Sequence, residues 1–183
     1  MFRGYFQGYT NAAIADTKHW SWVTLQAHQN NHAGTVTLNS ANPLDVPSIN
    51  FNFFDAGTTA DGADAHDLAP MVEGINWSRK VSDSVSGKYS FTEEQPGADI
   101  TTTEQIQDFV KNQAWGHHAS CSAPIGADDD GLAVLDSHFR VRGVEGLRVV
   151  DASVFPKIPG FFPVAAIFMI SEKAADVIIA DNA

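Results

Sequence analysis

Basic residues are scarce in this sequence. Eleven lysines and arginines stand against 22 aspartates and glutamates, and the formal net charge of the 183-residue chain at pH 7 is −11. Nucleic acids and anionic membrane surfaces are themselves negative, so they repel a chain of this charge. We therefore expect no nucleic-acid partner.

Cysteine and long apolar runs are scarce as well. The single cysteine, Cys121, excludes an internal disulfide bond and any metal site with several cysteine ligands. The longest apolar run, residues 161–170, is about half as long as a membrane-spanning helix. Residues 1–9 lack the basic region and apolar stretch of a signal peptide. The sequence predicts no membrane span, and it leaves the compartment open.

What the sequence does contain is material for a buried core, since 44% of its residues are apolar. After an irregular entry segment, residues 1–20, three stretches alternate apolar and polar residues or are rich in β-branched residues. They are residues 21–28, 35–38 and 48–53, and turn-forming residues separate them. The pattern predicts a three-stranded antiparallel meander.

Two helices are predicted to follow the meander. In the first helix, Asp64 or Asp67 is the predicted cap and Pro70 lies in the first turn. Its apolar residues recur at helical spacing: Leu68, Met71, Val72 and Ile75. The second begins at a Thr-Glu cap at residues 101–104 and ends before Gly116; its apolar face carries Ile106, Phe109 and Val110.

The last third of the chain predicts two short strands, residues 138–141 and 147–150, joined at residues 143–146, and a final helix beginning near Pro163. The fold class is therefore α+β, mainly an antiparallel sheet covered by helices. The acidic residues 128–130 lack the alternating oxygen ligands of a calcium loop, and we interpret them as a solvated turn.

Several residues in this last third can carry chemistry. His117 and His118 can exchange protons near neutral pH, although a histidine is more often a hydrogen-bonded structural residue. Asp151 ends an apolar stretch, where a carboxylate can accept hydrogen bonds from ligand hydroxyls or cap the turn containing Ser153. Cys121 shows no sign of activation as a nucleophile. No histidine or carboxylate spacing predicts a metal site.

A series of linked motifs in this region resembles the C-terminal part of the glucose-methanol-choline (GMC) oxidoreductases, flavoenzymes that use FAD to oxidise alcohols and sugars. The motifs are HASCSAPIG at 118–126, AVLD at 133–136, RGV at 142–144, GLRVVDAS at 146–153 and EKAAD at 172–176. Residues 34–38 and 47–50 resemble strands of the family's substrate domain more loosely.

The resemblance implies a role for each matching residue. His118 matches the histidine that takes the substrate hydroxyl proton, with His117 as a neighbour that could assist it. Asp151 and Ala152 match positions that contact FAD, as do Pro163 and Val164 at the start of the last helix. Phe162 and Trp115 are implied to line the substrate pocket.

The resemblance also implies a division of the chain. Residues 1–117 correspond to a substrate-binding domain, and residues 118–183 to the histidine motif and a segment that completes the FAD-binding domain. The expected partners are a small alcohol or related substrate and an N-terminal FAD-binding half, supplied by a separate chain or by a longer precursor.

Three features depart from the family pattern. Phe162 stands where the family has histidine or asparagine, and a phenyl ring cannot accept a proton. Cys121 replaces the motif glycine, and Ala123 replaces the motif cysteine. No G-x-G-x-x-G sequence occurs among the 14 glycines, so the βαβ unit that binds pyrophosphate is absent from this chain. These departures keep two alternatives open: a non-catalytic binding or structural module, and a flavin-dependent lyase.

Overall fold

The computed structural model describes residues 2–3, 18–55 and 62–183, which fall into two compact units, Met1–Trp115 and Gly116–Ala183. The entry segment expected at residues 1–20 lies largely outside the described residues. The first unit contains β1 (Phe2–Arg3), β2 (Trp20–Ser21), β3 (Thr35–Thr37), β4 (Ser48–Asn50), α1 (Ala63–Val85) and α2 (Thr103–Gln113). The second contains a 3-10 turn (Ala152–Val154) and α3 (Val164–Asp181).

The strands form two separate antiparallel pairs, β1 with β2 and β3 with β4. The predicted pairing of residues 35–38 with 48–53 is confirmed as β3 with β4, where Val36 lies opposite Ile49. The predicted hairpin between residues 21–28 and 35–38 is wrong, because β2 pairs with β1 in a separate sheet. Residues 22–26 belong to no strand or helix, and residues 27–28 form a bend. Their side chains turn towards α1 instead: Trp22 Nε1 donates to Ser82 Oγ at 3.1 Å. The α+β class itself is confirmed.

α1 has the predicted apolar face but a different beginning. Its N-cap is Gly62, in a left-handed conformation with φ 68°, and no side chain caps it. Asp64 and Asp67 are thus not its cap, and Pro70 lies beyond the first turn. Asp67 is instead fully buried, with 0% of its surface exposed. Asp67 therefore does not cap the helix as predicted; its buried carboxylate accepts hydrogen bonds from a loop that is distant in the sequence.

That loop contains Gln26, Asn30 and Asn31. The backbone N–H groups of Asn30 and Asn31 donate to Asp67 at 2.9 and 2.7 Å, and both Gln26 and Asn30 add a side-chain amide at 2.8 Å. Burial alone would raise the pKa of Asp67, but these hydrogen bonds outweigh it and hold the pKa below its ordinary value. Asn31 in turn donates to the carbonyls of Asn52, Phe53 and Asp55.

α2 begins as the sequence predicts. Thr102 Oγ1 accepts from the Gln105 N–H, and Gln105 Oε1 accepts from the Thr102 N–H, which together make a capping box. The helix ends at Gln113, before the predicted Gly116. The buried core of this unit joins both helices through Leu68, Val72, Ile106 and Val110.

Gly74 lets the segment of residues 22–26 approach α1 closely. A Cβ atom at this position would lie 2.5 Å from Thr24 Cγ2 and 2.8 Å from Thr24 Oγ1. Alanine in place of a helical glycine normally stabilises by about 1 kcal/mol. Here we expect Gly74→Ala to destabilise the chain by about 1–3 kcal/mol, because the new methyl group overpacks the contact.

The matched control removes the obstacle. In a Thr24→Ala background the Cγ2 and Oγ1 atoms are gone, and Gly74→Ala should become neutral or stabilising. Thermal unfolding of the four proteins of this double-mutant cycle checks the prediction. Equal effects of Gly74→Ala in both backgrounds would contradict the close contact.

The second unit is built around Leu135, Phe139, Val154 and Ala174. Instead of the two strands predicted at 138–141 and 147–150, it has isolated β-bridges, Leu135 with Val141 and Arg140 with Arg148. Phe139 has φ 64°, a left-handed conformation that interrupts a strand. The predicted turn between them does contain glycines with positive φ, Gly143 and Gly146.

α3 begins beside Pro163, as predicted, and its last turn is tied down by an ion cluster. Arg148 donates to Asp181 at 2.6 Å and to the His138 carbonyl at 2.6 Å.

α3 also carries four large apolar side chains that are 57–72% exposed: Val164, Phe168, Met169 and Ile179. No helix in the described part of the chain has both the length and the apolar character to span a membrane.

Candidate functional site

The structure brings together His117, His118 and Phe162. The ring centroids of His118 and Phe162 lie 6.2 Å apart with the planes at 74°, an edge-on arrangement. The ring of His117 lies 6.0 Å from that of His118. Both histidines are exposed, and 66% of the Phe162 surface is exposed. Neither imidazole is thus enclosed in the core of this unit, and both can meet a ligand.

The backbone at His118 is in an unusual conformation. Its φ of 62° is left-handed, which costs about 1–2 kcal/mol for a residue that carries a Cβ. Cys121, three residues later, has φ 67°. Strained backbone of this kind is concentrated at functional sites, where surrounding contacts hold it in place.

The residues that follow His118 are held in place by hydrogen bonds to the 3-10 turn. The N–H groups of Cys121, Ala123 and Ile125 donate to the carbonyls of Ala152, Ser153 and Val154, at 3.2, 2.9 and 3.0 Å. The histidine motif and the Asp151 motif, read in the sequence as separate signals, are therefore one hydrogen-bonded structure. Sequence reasoning missed this pairing; the only signal for it was the fixed order of the two motifs.

Asp151 caps the 3-10 turn through one of its oxygens. Its Oδ1 accepts from the Ser153 N–H at 2.7 Å and from the Ser153 hydroxyl at 2.5 Å. These bonds, first that of the hydroxyl and then that of the N–H, hold the pKa of Asp151 below its ordinary value. Asp151 is exposed, and its Oδ2 has no hydrogen-bond partner among the described residues. The carboxylate is thus ionised at pH 7 and has one oxygen available to a ligand.

The beginning of α3 offers backbone donors beside Phe162. Pro163 is the N-cap, and the first helical bond runs from the Ile167 N–H to the Pro163 carbonyl at 2.8 Å. No side chain caps the helix, and the three N–H groups of residues 164–166 have no acceptor within the described ranges. Such a helix end favours an anion or an electron-rich ring edge.

The pKa of His117 is lowered below its ordinary value by desolvation and by the neighbouring His118. This shift favours the neutral form of the His117 imidazole.

The remaining candidates are placed as follows. Trp115, half-buried, belongs to the first unit, and its place in a substrate pocket stays a prediction. Cys121 is a free thiol whose Sγ lies 3.4 Å from Ser120 Oγ. Asp130 closes a turn by accepting from the Leu132 N–H at 2.9 Å. Within residues 2–3, 18–55 and 62–183, no three His, Cys, Asp or Glu side chains converge.

Comparison with known proteins supports the resemblance seen in the motifs. The family model described as GMC oxidoreductase matches residues 30–171. An oxygen-dependent choline dehydrogenase of Vibrio vulnificus is 43% identical over 147 residues, which are 80% of this chain and 25% of the relative. A dehydrogenase of Emericella nidulans is 32% identical over 183 residues, 98% of this chain and 29% of the relative.

Solved structures give the same result. An FAD-dependent oxidoreductase from Chaetomium thermophilum superposes with a TM-score of 0.62 and 30% identity, over 81% of this chain and 25% of that protein. The chain thus spans between a quarter and three-tenths of the length of these proteins. The chain belongs to the GMC oxidoreductase family and corresponds to a C-terminal portion of the proteins in that family.

Proposed function

We propose that this chain is the C-terminal part of an FAD-dependent oxidoreductase that oxidises an alcohol or a similar CH–OH donor, with His118 as the base. Family membership supports the reaction class, and the names of the relatives support the cofactor and an alcohol substrate. Because the chain spans only about a quarter of these relatives, we propose that it is active only together with an N-terminal FAD-binding half.

One observation carries the proposal: an exposed histidine in a left-handed conformation lies edge-on to Phe162, and α3 begins two residues after Phe162 with uncapped N–H groups. An alcohol placed at His118 can give its hydroxyl proton to an imidazole nitrogen. FAD, when bound, supplies the hydride acceptor. The α3 N–H groups at Val164 and the two residues after it would hold the electron-rich edge of the flavin ring.

The residues present fit one end of FAD and not the other. Asp151 Oδ2 and the α3 N–H groups suit a ribityl hydroxyl and a flavin ring edge, and Ala152 begins the 3-10 turn next to Asp151. No glycine fingerprint for the pyrophosphate exists in the sequence. The phosphates must therefore be bound by the N-terminal half. The exposed apolar side chains of α3 also support this proposal, because another part of a longer protein would be expected to cover them.

Phe162 sets the character of the proposed substrate pocket. At the family's histidine or asparagine position it offers only an apolar ring edge, so a second proton acceptor must come from elsewhere. His117 is the proposed assistant, since the lowering of its pKa favours the neutral imidazole and its ring neighbours that of His118. Phe162 would then provide an aromatic surface to the carbon skeleton of the substrate, and the same role for Trp115 stays a prediction from the sequence.

A chimera tests the proposal. The matched C-terminal portion of the Vibrio vulnificus choline dehydrogenase is replaced by this chain, and the product is purified and mixed anaerobically with choline and a panel of other alcohols. We expect a flavin-containing protein whose visible absorbance is bleached by at least one alcohol. A folded, flavin-containing chimera that no alcohol reduces would overturn the proposed oxidation and favour the second candidate.

That second candidate is a non-catalytic module, and the observation that favours it is Phe162. A flavin-dependent lyase shares the histidine but causes no net reduction. The same chimera separates them, because a lyase consumes its substrate without lasting bleaching, whereas a non-catalytic module consumes none.

A further inference from the structure

Ser153 makes hydrogen bonds to both motifs of the candidate site. Its hydroxyl donates to Asp151 Oδ1 at 2.5 Å, and its N–H donates to the same oxygen at 2.7 Å. Its carbonyl accepts from the Ala123 N–H at 2.9 Å. Ser153 is half-buried, and it connects the carboxylate that is proposed to contact FAD with the histidine loop, residues 118–126.

Two donors on one oxygen fix the orientation of the Asp151 carboxylate. An exposed carboxylate without such partners turns about its side-chain bonds, and a ligand that binds it must first order it. The 2.5 Å bond from Ser153 Oγ falls within the range of the short bonds that hydroxyls make to ionised carboxylates. Because Ser153 occupies Oδ1 in this way, Oδ2 is held in a defined position for a ligand hydroxyl.

The same turn holds the histidine loop through three consecutive carbonyls. The carbonyls of residues 152–154 accept from alternate N–H groups in residues 121–125, and that of Ser153 is the middle one. All three belong to one 3-10 turn, which Asp151 caps. The bonds that close the turn at Asp151 therefore also limit the motion of the histidine loop.

We propose that Ser153 is a positioning residue that couples cofactor binding to the geometry of the histidine loop. Its hydroxyl holds the Asp151 carboxylate ready for a ribityl hydroxyl of the flavin, and the same bond keeps the turn closed against residues 121–125. The inference rests on the proposed function in taking FAD as the ligand of Asp151. Ser153 acts through Asp151 and the histidine loop rather than on the substrate.

Replacing Ser153 with alanine tests this coupling in the 183-residue chain without flavin. The pKa of Asp151 lies below its ordinary value because of the Ser153 hydroxyl first and the Ser153 N–H second. Ser153→Ala should therefore raise this pKa towards its ordinary value, which a carbon-13 titration of the carboxyl group measures. Amide exchange at Cys121, Ala123 and Ile125 should become about threefold to tenfold faster, because the turn that accepts their bonds opens more often.

Three further variants separate this coupling from a general loss of stability. Ser153→Thr keeps the hydroxyl and should restore both the pKa and the slow exchange. Ser171→Ala removes another hydroxyl that donates to a carbonyl in this unit, and it should change neither. Asp151→Ala removes the bond from its other end and should accelerate the same three amides, which keeps the test decisive if Ser153→Ala folds poorly.

The cofactor side of the coupling is measured in the chimera. Its Ser153→Ala variant should release FAD about tenfold faster than the parent, and its Ser153→Thr variant should retain FAD. An unchanged pKa of Asp151, unchanged exchange in the histidine loop or equal retention of FAD would each overturn the proposal. The titration and the exchange need neither flavin nor substrate, so failure of the coupling is distinguishable from a chimera that no alcohol reduces.

Discussion

Replacing His118 with asparagine is expected to slow alcohol-dependent flavin reduction in the chimera by about 10²–10⁴-fold, the usual contribution of a general base. Asparagine is the suitable substitute because it tolerates the left-handed backbone found at φ 62° better than alanine does, and its amide cannot take up a proton. Rapid mixing under anaerobic conditions measures the rate. The flavin content should match that of the parent.

Two further variants separate a base from a structural residue. His118→Gly leaves a gap and relieves the backbone strain, so added imidazole should restore part of its rate. His66→Ala changes an exposed histidine in α1 and should leave the rate unchanged. An unaltered rate in His118→Asn, or a loss that imidazole cannot restore, would remove His118 from the role of base.

Asp67→Asn is expected to destabilise the first unit by about 3 kcal/mol, a large effect for a change of one atom. Both carboxylate oxygens accept hydrogen bonds, from two backbone N–H groups and two side-chain amides. An asparagine must point its own amide N–H₂ group at some of these donors, and it removes the negative charge that strengthens the bonds. Thermal unfolding followed by circular dichroism measures the difference.

The effect of this substitution should depend on pH in a defined direction. Because the folded-state pKa of Asp67 lies below its ordinary value, the stabilisation by Asp67 is complete above that ordinary value and disappears as the pH falls through the folded pKa. The gap between parent and Asp67→Asn should thus be full at pH 7 and close in acid. Asp83→Asn, an exposed change in the same helix, is the control and should behave like the parent. A pH-independent gap would contradict an ionised Asp67.

Local patterns in the sequence were sufficient for the helices of this protein. The apolar spacing in α1 and α2 predicted the residues that form the buried core. The Thr-Glu motif at residues 101–104 predicted the start of α2, although the capping box that forms pairs Thr102 with Gln105. Both are properties of neighbouring residues. Asp67 shows where such reasoning ends, because its donors lie 36–41 positions away in the chain and no local pattern announces them.

Pairing and backbone conformation were likewise beyond the sequence. Residues 21–28 alternate like a strand, yet only Ser21 of them is paired, since pairing depends on another segment being present. In the candidate site, the order of motifs predicted His118, Asp151 and Pro163 as site residues, and these roles stay predictions. The left-handed conformation of His118 could not be predicted, because glycine at a position suggests a positive φ whereas histidine does not.

The exposed apolar side chains of α3 also matter during synthesis. In a longer family protein, everything N-terminal to this helix has been made before the helix leaves the ribosome. Phe168 and Met169 would therefore meet a waiting surface within the same molecule. When the 183 residues are translated by themselves, the same side chains meet chaperones or other copies instead. Yield of the isolated chain should then fall as expression rises, and co-expression of an N-terminal half should restore it.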